Sequence, residues 1–322
     1  MRNCSPHTIL SYRTSLDQLL YFAKTSKNTK LGLITFDDLN DGMVTAYLDD
    51  LEVTKKYSVS SRNLRLACLK AFYRYASMRD TALTVYKQAI DRVPKKKDNN
   101  TEPIKYLSEA AVKVLLNQPD ITTSKGIRDQ FIMVLMYDTA ARIQEIINLK
   151  ICDFRADSLP QIQLYGKGRK TRMVPLMKET MDHYNRYMSL FHPGESSRSE
   201  KPLFYSHRNG KCSPISDDLI RTFMNQYAKK AHEICNEVPE SIHPHMWRHT
   251  RAMHLYQHGM DLTLVSQWLG HASLSATMIY AYADTEMKRK AIEKATIDIP
   301  LNSTKNELVD EDEMIRRLYG LK

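Results

Sequence analysis

The sequence predicts a mainly α fold with a small antiparallel β-sheet, divided into an N-terminal helical domain and a C-terminal α+β domain. Three observations carry this prediction. Apolar residues before position 93 recur at three- and four-residue intervals, the period of an amphipathic helix. The stretch QIQLYGKGRKTRMVPL alternates into and out of a Gly-rich turn, the pattern of a β-hairpin. Between the halves lies RVPKKKDNNTEP, where two prolines flank lysines, asparagines and an aspartate. Such a stretch is hard to bury and reads as a linker. The expected units are residues 1–93, a linker 94–103, residues 104–300 and a tail 301–322.

The elements follow in order. Ser5 supplies a capping hydroxyl and Pro6 a ring pre-set for the first helical turn. Ile9, Tyr12, Leu16, Leu19 and Ala23 then form one apolar stripe. A shorter helix is expected from Phe36 to Leu51. In SVSSRNLRLACLKAFYRYA, Leu64, Cys68, Phe72 and Tyr75 are expected to face inward, with Arg62, Arg65, Lys70 and Arg74 over the remaining surface. That basic surface suits either a DNA groove or a solvated helix face.

After the linker, DQFIMVLMYDTAARIQEIINL gives a nearly all-apolar helix, a turn and a second helix, and the hairpin follows. Further helices are expected from about Ser216 to Cys235 and through MWRHTRAMHLYQHG, LTLVSQWLG and MIYAYADTEMKRKAIEKA. In the tail, Met314, Ile315, Leu318 and Tyr319 make a short amphipathic helix suited to docking on its own domain or on a neighbour.

Composition narrows the function classes. The chain is 42% hydrophobic and 26% charged, ordinary values for a folded soluble protein. No apolar run approaches the ~20 residues that span a bilayer, and the first ten residues hold no secretory h-region. Cys4, Cys68, Cys152, Cys212 and Cys235 are scattered and form no CxxC, which suggests reduced thiols in a cytoplasm. The net charge is +10. Residues 1–93 hold 14 Lys and Arg against 9 Asp and Glu, and residues 104–300 hold 26 against 21. Both halves are therefore basic, as in a protein that grips a polyanion from two sides; solubility alone would also account for the surplus.

The stretch HPHMWRHT, residues 243–250, concentrates the chemistry. His245 and His249 have the spacing of a zinc-binding pair, but Met246 stands where an HExxH motif needs Glu, and no nearby ligand completes a set. GKGRKT has one residue between its glycines where a P-loop needs four. No metal or cofactor is therefore expected. A phosphate site fits better. His245 and Arg248 are three apart on one helix face. Arg142 lies at a turn-to-helix junction, Lys167 at the hairpin tip, and Tyr280 nine residues beyond His271. Two guanidinium forks can offset the charge of a phosphodiester transition state without metal ions. A tyrosine hydroxyl, with a pKa of ~10, attacks only with help, and His245 is a candidate base. A lysine on a hairpin can protonate the departing oxygen. Taken singly, Arg142 also suits a helix ion pair with Glu145 three residues on, Lys167 a solvated turn, His271 a helix end and Tyr280 a core. Their joint occurrence with HMWRH favours a site.

The motifs TAARIQE, GKGRK, HMWRHT and LGH, followed by Tyr280, resemble in order and approximate spacing those of the tyrosine recombinases, or phage-integrase family. The simple Xer-like members are the nearest in pattern. The resemblance covers nearly the whole chain. It implies a helical core-binding domain that clamps DNA, followed by a catalytic domain. Arg142, His245, Arg248 and His271 fall on phosphate-binding and acid/base positions, Lys167 on the hairpin lysine and Tyr280 on the nucleophile. It implies cleavage through a 3′-phosphotyrosine, a Holliday junction, and a homotetramer on double-stranded DNA with paired recombination half-sites, with a second recombinase or accessory protein as a further partner. A type IB topoisomerase-like nicking–closing enzyme and a non-catalytic DNA-binding module are the alternatives. Lys95, Lys96, Lys97, Arg169 and Lys170 join the helix residues Arg62, Arg65, Lys70 and Arg74 as candidate DNA contacts.

Three departures from the pattern are visible. Thr139-Ala140 replaces the usual Thr-Gly, which strains the turn if position 140 needs a positive φ. Tyr282 stands where histidine is common. Little precedes the Ser5–Pro6 start, so no arm-binding domain is expected. His243 is expected to enter the helix rather than act in catalysis, His249 to support the site, and Trp268 to pack beneath it or donate its indole N–H.

Overall fold

The computed structural model describes residues 6–97, 104–156, 158–166, 170–208, 211–271, 273–283 and 289. The chain divides into two compact units, Met1–Glu102 and Pro103–Lys322. The fold is mostly helical with small antiparallel sheets.

The first unit is built from α1 (Pro6–Ser26), α2 (Asp41–Val53), α3 (Val59–Arg79) and α4 (Thr84–Arg92). Residues 36–40, expected to be helical, form the turn before α2. That helix begins only at its cap, where Asn40 Oδ1 accepts the Met43 N–H at 3.0 Å. Ser58 caps α3 in the same way, accepting from Ser61 at 3.2 Å. Leu19 and Ala23 of the α1 stripe are buried with Val44, Tyr47, Leu48 and Leu51 of α2, while Ile9 is exposed.

The buried face of α3 differs from the sequence expectation. Cys68 is buried and Phe72 packs on the core as expected, but Leu64 and Tyr75 are exposed, and the inward stripe is completed by Leu66, Leu69, Tyr73 and Ala76. Two apolar stripes compete on this helix. The Tyr73 stripe wins with a satisfied donor, since its hydroxyl donates to the Leu39 carbonyl inside the core. This rotation buries Arg62, whose Nε lies 3.2 Å from Glu52 Oε2 and whose Nη1 donates to the Pro94 carbonyl at 3.3 Å. Lys70 Nζ donates to the Asp91 and Val93 carbonyls at 2.9 and 2.7 Å, closing the end of α4. Lys96 pairs with Glu52 at 2.6 Å and bonds Asn63 through its backbone. Arg65 Nη1 donates to Ser15 Oγ at 3.2 Å. The charged ends of Arg62 and Lys70 are thus engaged within the unit, not spread over a solvated face. Arg74, Lys95 and Lys97 are exposed.

The second unit contains α5 (Glu109–Leu116), α6 (Ser124–Thr139), α7 (Ile143–Ile147), β1 (Phe154–Arg155), β2 (Gln161–Tyr165), β3 (Thr171–Pro175), α8 (Lys178–Phe191), β4 (Tyr205–Arg208), β5 (Lys211–Pro214), α9 (Asp217–Ile234), α10 (Pro244–Gln257), α11 (Leu262–Leu269) and α12 (Met278–Ala283). β2 and β3 are the expected hairpin, in the register Ile162 to Val174 and Leu164 to Arg172, and β1 adds a third antiparallel strand. β4 and β5 pair separately. The core gathers Phe131, Ile132, Met133, Leu135 and Met136 of α6 around Trp247 of α10 and Tyr187 of α8. Burial on several sides explains why α6 is apolar nearly all round. The expected tail helix and the end of the expected last helix lie outside the described residues.

Two main-chain positions shape the site. Ala140 ends α6 with φ 51° and ψ 29°, in the left-handed region. Gly270 ends α11 with φ +61°, and its N–H bonds Gln267 O at 3.0 Å, a turn that glycine adopts without a Cβ clash. Ala140 is strained by about 1–2 kcal/mol. Glycine there would relieve this but lose a buried methyl and gain unfolded-chain entropy, each worth about 1 kcal/mol. Ala140→Gly is therefore expected to leave urea-unfolding stability within about 1 kcal/mol, and Ala140→Val, β-branched at a positive φ, to cost at least about 2 kcal/mol. Lys70→Ala is expected to lower the urea-unfolding stability of the chain by about 1–2 kcal/mol, because two carbonyls lose a charged donor.

Candidate active site

Arg142 begins α7, directly after the left-handed turn. Its backbone N–H donates to Glu145 Oε2 at 2.8 Å and its Nη1 to Glu145 Oε1 at 2.9 Å. Glu145 also receives a fork from β3: Arg172 Nη1 reaches Oε1 at 2.9 Å and Nη2 reaches Oε2 at 2.8 Å. Burial alone would raise the Glu145 pKa. The hydrogen bonds and charge of Arg172, then those of Arg142, overcome it and hold the carboxyl below its ordinary value. Arg172 Nε donates to the Trp268 carbonyl at 2.9 Å, so one side chain ties β3, α7 and α11 together.

Pro244 starts α10, and His243 caps it by accepting the Met246 N–H at 3.2 Å on Nδ1. The period of α10 then places His245, Arg248 and His249 toward one side. Arg248 is buried. Its Nη1 donates to the Ala140 carbonyl at 2.8 Å and its Nη2 to the Leu269 carbonyl. Desolvation, then repulsion from Arg142 and Arg172, pushes this guanidinium down to about 9, so it remains charged at neutral pH.

His271 follows Gly270. Its Nδ1 bonds Thr277 Oγ1 at 2.8 Å, and the Thr277 carbonyl accepts the Tyr280 N–H at 3.1 Å. Thr277 thus links His271 to Tyr280. The Tyr280 side chain enters a cluster with Ala140, Ala252, Met253, Val265 and Leu269, and the residue is 1% exposed. Its hydroxyl shares a 3.0 Å hydrogen bond with His249 Nδ1. Burial pushes the phenol up to about 12 against the opposing charge of Arg248. Tyr282 is 70% exposed, so the two tyrosines diverge as a helix requires.

The three histidines are uncharged at neutral pH. Desolvation lowers His245, with Arg248, His243 and Arg142 adding to the shift. Desolvation first, then neighbouring charge, lowers His249 and His271 to about 4 each; for His271 the charges are Arg248, Arg142 and Arg172. The cluster is thus fixed cations with neutral imidazoles, a setting for an anion.

Arg248 brings these segments together: it bonds the carbonyls of Ala140, two residues before Arg142, and Leu269, two before His271, and Tyr280 packs in one cluster with both, while His245 lies three residues before Arg248 on α10. Lys167 and Arg169 lie outside the described residues. Gly166, next to Lys167, is placed so that a Cβ on it would lie 3.4 Å from Glu145 Oε1 and 3.8 Å from Arg142 Nη1. Lys170 is exposed. The described partner of the Tyr280 hydroxyl is His249, whereas the sequence reading chose His245 as the base. Glu145 and Arg172 were not singled out as site residues. The signal for Glu145 was its i+3 spacing from Arg142, and Arg172 stood one strand position beyond the basic turn. Trp268 packs beneath the site, and its buried indole N–H has no partner among the described residues.

Known proteins share the sequence pattern and the fold of this chain. The model of the Phage integrase family matches residues 105–287, and that of the Phage integrase N-terminal SAM-like domain matches residues 1–83. Putative integrase/recombinase y4rC of Sinorhizobium fredii is 30% identical over 321 residues, covering 99% of this chain and 93% of its own. Tyrosine recombinase XerC of Staphylococcus epidermidis is 30% identical over 291 residues, 90% of each chain. XerH recombinase bound to a palindromic difH substrate has the same fold, with a TM-score of 0.66 at 20% identity over 91% of this chain and 81% of that chain. The Tn1549 transposon integrase in complex with a circular-intermediate DNA gives 0.68 at 19% identity over 92% and 95%. Fold and matches define a DNA strand-transferring enzyme. The chain belongs to the phage integrase family and is a site-specific tyrosine recombinase of the Xer-like type.

The neutral histidines link stability to pH. His249 and His271 have folded values near 4, below the ordinary 6.5, so the unfolded chain binds more protons between those limits. Their contribution is full above about 6.5 and is lost as pH falls toward 4. The urea midpoint is expected to fall between pH 7 and pH 5, and His249→Gln to flatten that slope.

Proposed function

We propose that Tyr280 attacks a phosphodiester of double-stranded DNA, forms a 3′-phosphotyrosyl bond and releases a 5′ hydroxyl that rejoins a partner duplex through a Holliday junction. The observation that carries this is the phenol of Tyr280 hydrogen-bonded at 3.0 Å to His249, one residue from the buried cation Arg248. Arg142 and Arg248 bind the nonbridging oxygens, where charge grows in the transition state. His245 and His271 donate to the same phosphate. With the phenol near 12, the O–H bond stays intact until attack, and its proton passes to a neutral imidazole of α10, either His245 or His249. Lys167, beyond the described residues, protonates the departing 5′ oxygen.

The first unit clamps DNA as a core-binding domain. Arg65, Arg74, Lys95 and Lys97, with Arg169 and Lys170 of the second unit, are the proposed backbone contacts. Two protomers on each site and four in the strand-exchange complex are the proposed assembly, with a second recombinase or accessory protein as a further partner. Its place of action is the cytoplasm, on the DNA of a mobile element or a replicon to be resolved. No helix among the described residues is long and apolar enough to cross a membrane.

The test is to recover the DNA crosslinked to the protein in its host, nick that site and trap the covalent complex. Wild type is expected to accumulate it on Tyr280. Tyr280→Phe should give none, and Arg248→Ala should slow trapping at least about 100-fold, the scale of losing one transition-state donor. Full trapping by Tyr280→Phe would refute the assignment. Binding should weaken with salt with a log–log slope of about −0.9 per neutralised phosphate.

A further inference from the structure

We propose that Arg172 is a positioning residue that sets the charge of the phosphate cradle: by taking both oxygens of Glu145, it leaves the Arg142 guanidinium in surplus for an anion. The inference rests on reading Arg142 and Arg248 as that cradle. One carboxylate here serves two guanidiniums, and it serves them unequally. Arg172 grips Glu145 with a two-pronged fork, at 2.9 and 2.8 Å. The Arg142 side chain reaches it through a single nitrogen at 2.9 Å. Burial follows the same order. The side chains of Glu145 and Arg172 are 4% and 10% exposed, and that of Arg142 is 33% exposed. The buried fork is the counter-ion; the outer guanidinium carries the charge that faces solvent.

The count decides the effect. Two positive charges and one negative leave one positive charge at Arg142. Without Arg172, Glu145 would neutralise Arg142, and the cradle would lose attraction for any anion at this partly exposed position. Arg172 is also fixed in place. Its Nε holds the Trp268 carbonyl at 2.9 Å, and its Cδ would sit 3.0 Å from a Cβ on Gly270, against the turn that presents His271. Strand β3, which leads out of the hairpin tip, is thereby tied to the Arg142 turn and to the end of α11.

The full chain, titrated with inorganic phosphate at constant ionic strength and followed by NMR of its histidine ring protons, tests this. Circular dichroism and thermal melts check that each variant is folded. Arg172→Gln is expected to bind phosphate about tenfold more weakly, and Arg172→Lys, which keeps the charge, within about threefold of wild type. The double variant Glu145→Gln/Arg172→Gln restores the net charge and should also return to within about threefold. A scaffolding role alone would leave the double variant at least as weak as the single one.

Unchanged affinity in Arg172→Gln, a double variant as weak as the single, or no phosphate response in wild type would each overturn the proposal. Should Arg172→Gln fail to fold, the double variant decides: recovery supports the proposal, and a tenfold loss overturns it. Covalent trapping is scored separately. Its failure beside an intact affinity order removes the nucleophile and leaves this charge arrangement standing.

Discussion

A charged guanidinium sealed in the interior of the second unit is the constraint on which the rest of this structure depends. Arg248 would cost several kcal/mol if left unpaired at that depth. It is satisfied by main-chain oxygens, the carbonyls of Ala140 and Leu269. Those carbonyls point inward only because Ala140 is left-handed and α11 stops at Gly270. The same two turns present Arg142 on one side and His271 on the other. Holding one buried cation therefore fixes three segments distant in sequence.

Around this cation the protein sorts its charges by depth. Glu145 and Arg172 lie inside, and Arg142 partly outside. Desolvation and the surrounding cations keep His245, His249 and His271 neutral. Neutral rings can donate or accept protons without adding to the repulsion among three arginines. In a recombinase the covalent intermediate conserves the energy of the diester bond, so the enzyme has to direct charge and protons rather than supply energy. The geometry answers that requirement with ordinary side chains.

Much of this was legible in the sequence, and the gaps have physical causes. HMWRHT, LGH and the later tyrosine could be placed because helix period and chain spacing nearly determine which side chains meet. The hairpin was legible from alternation around its glycines. α8 carries the same helical signal, since Met181, Tyr184, Met188 and Phe191 recur at three- and four-residue intervals, but the polar residues between them let it read as a connection. The inward face of α3 was misjudged because Leu64 and Tyr75 look as apolar as Leu66 and Tyr73; only the hydroxyl partner of Tyr73 separates them. Arg62 and Lys70 share another cause. A basic residue in a basic sequence is read as solvated, yet its partner can lie on another element, as Glu52 does for Arg62.

The burial of Tyr280 has a kinetic consequence. Three contacts hold the described part of α12. It stays in place through the Thr277 carbonyl, the apolar cluster and the bond to His249. For the proposed attack by Tyr280, any local opening needed to admit a phosphate would add its free energy to the chemical barrier. Every ~1.4 kcal/mol of such closure delays strand scission tenfold. Closure of this kind would act on the rate with no change in the reacting groups themselves.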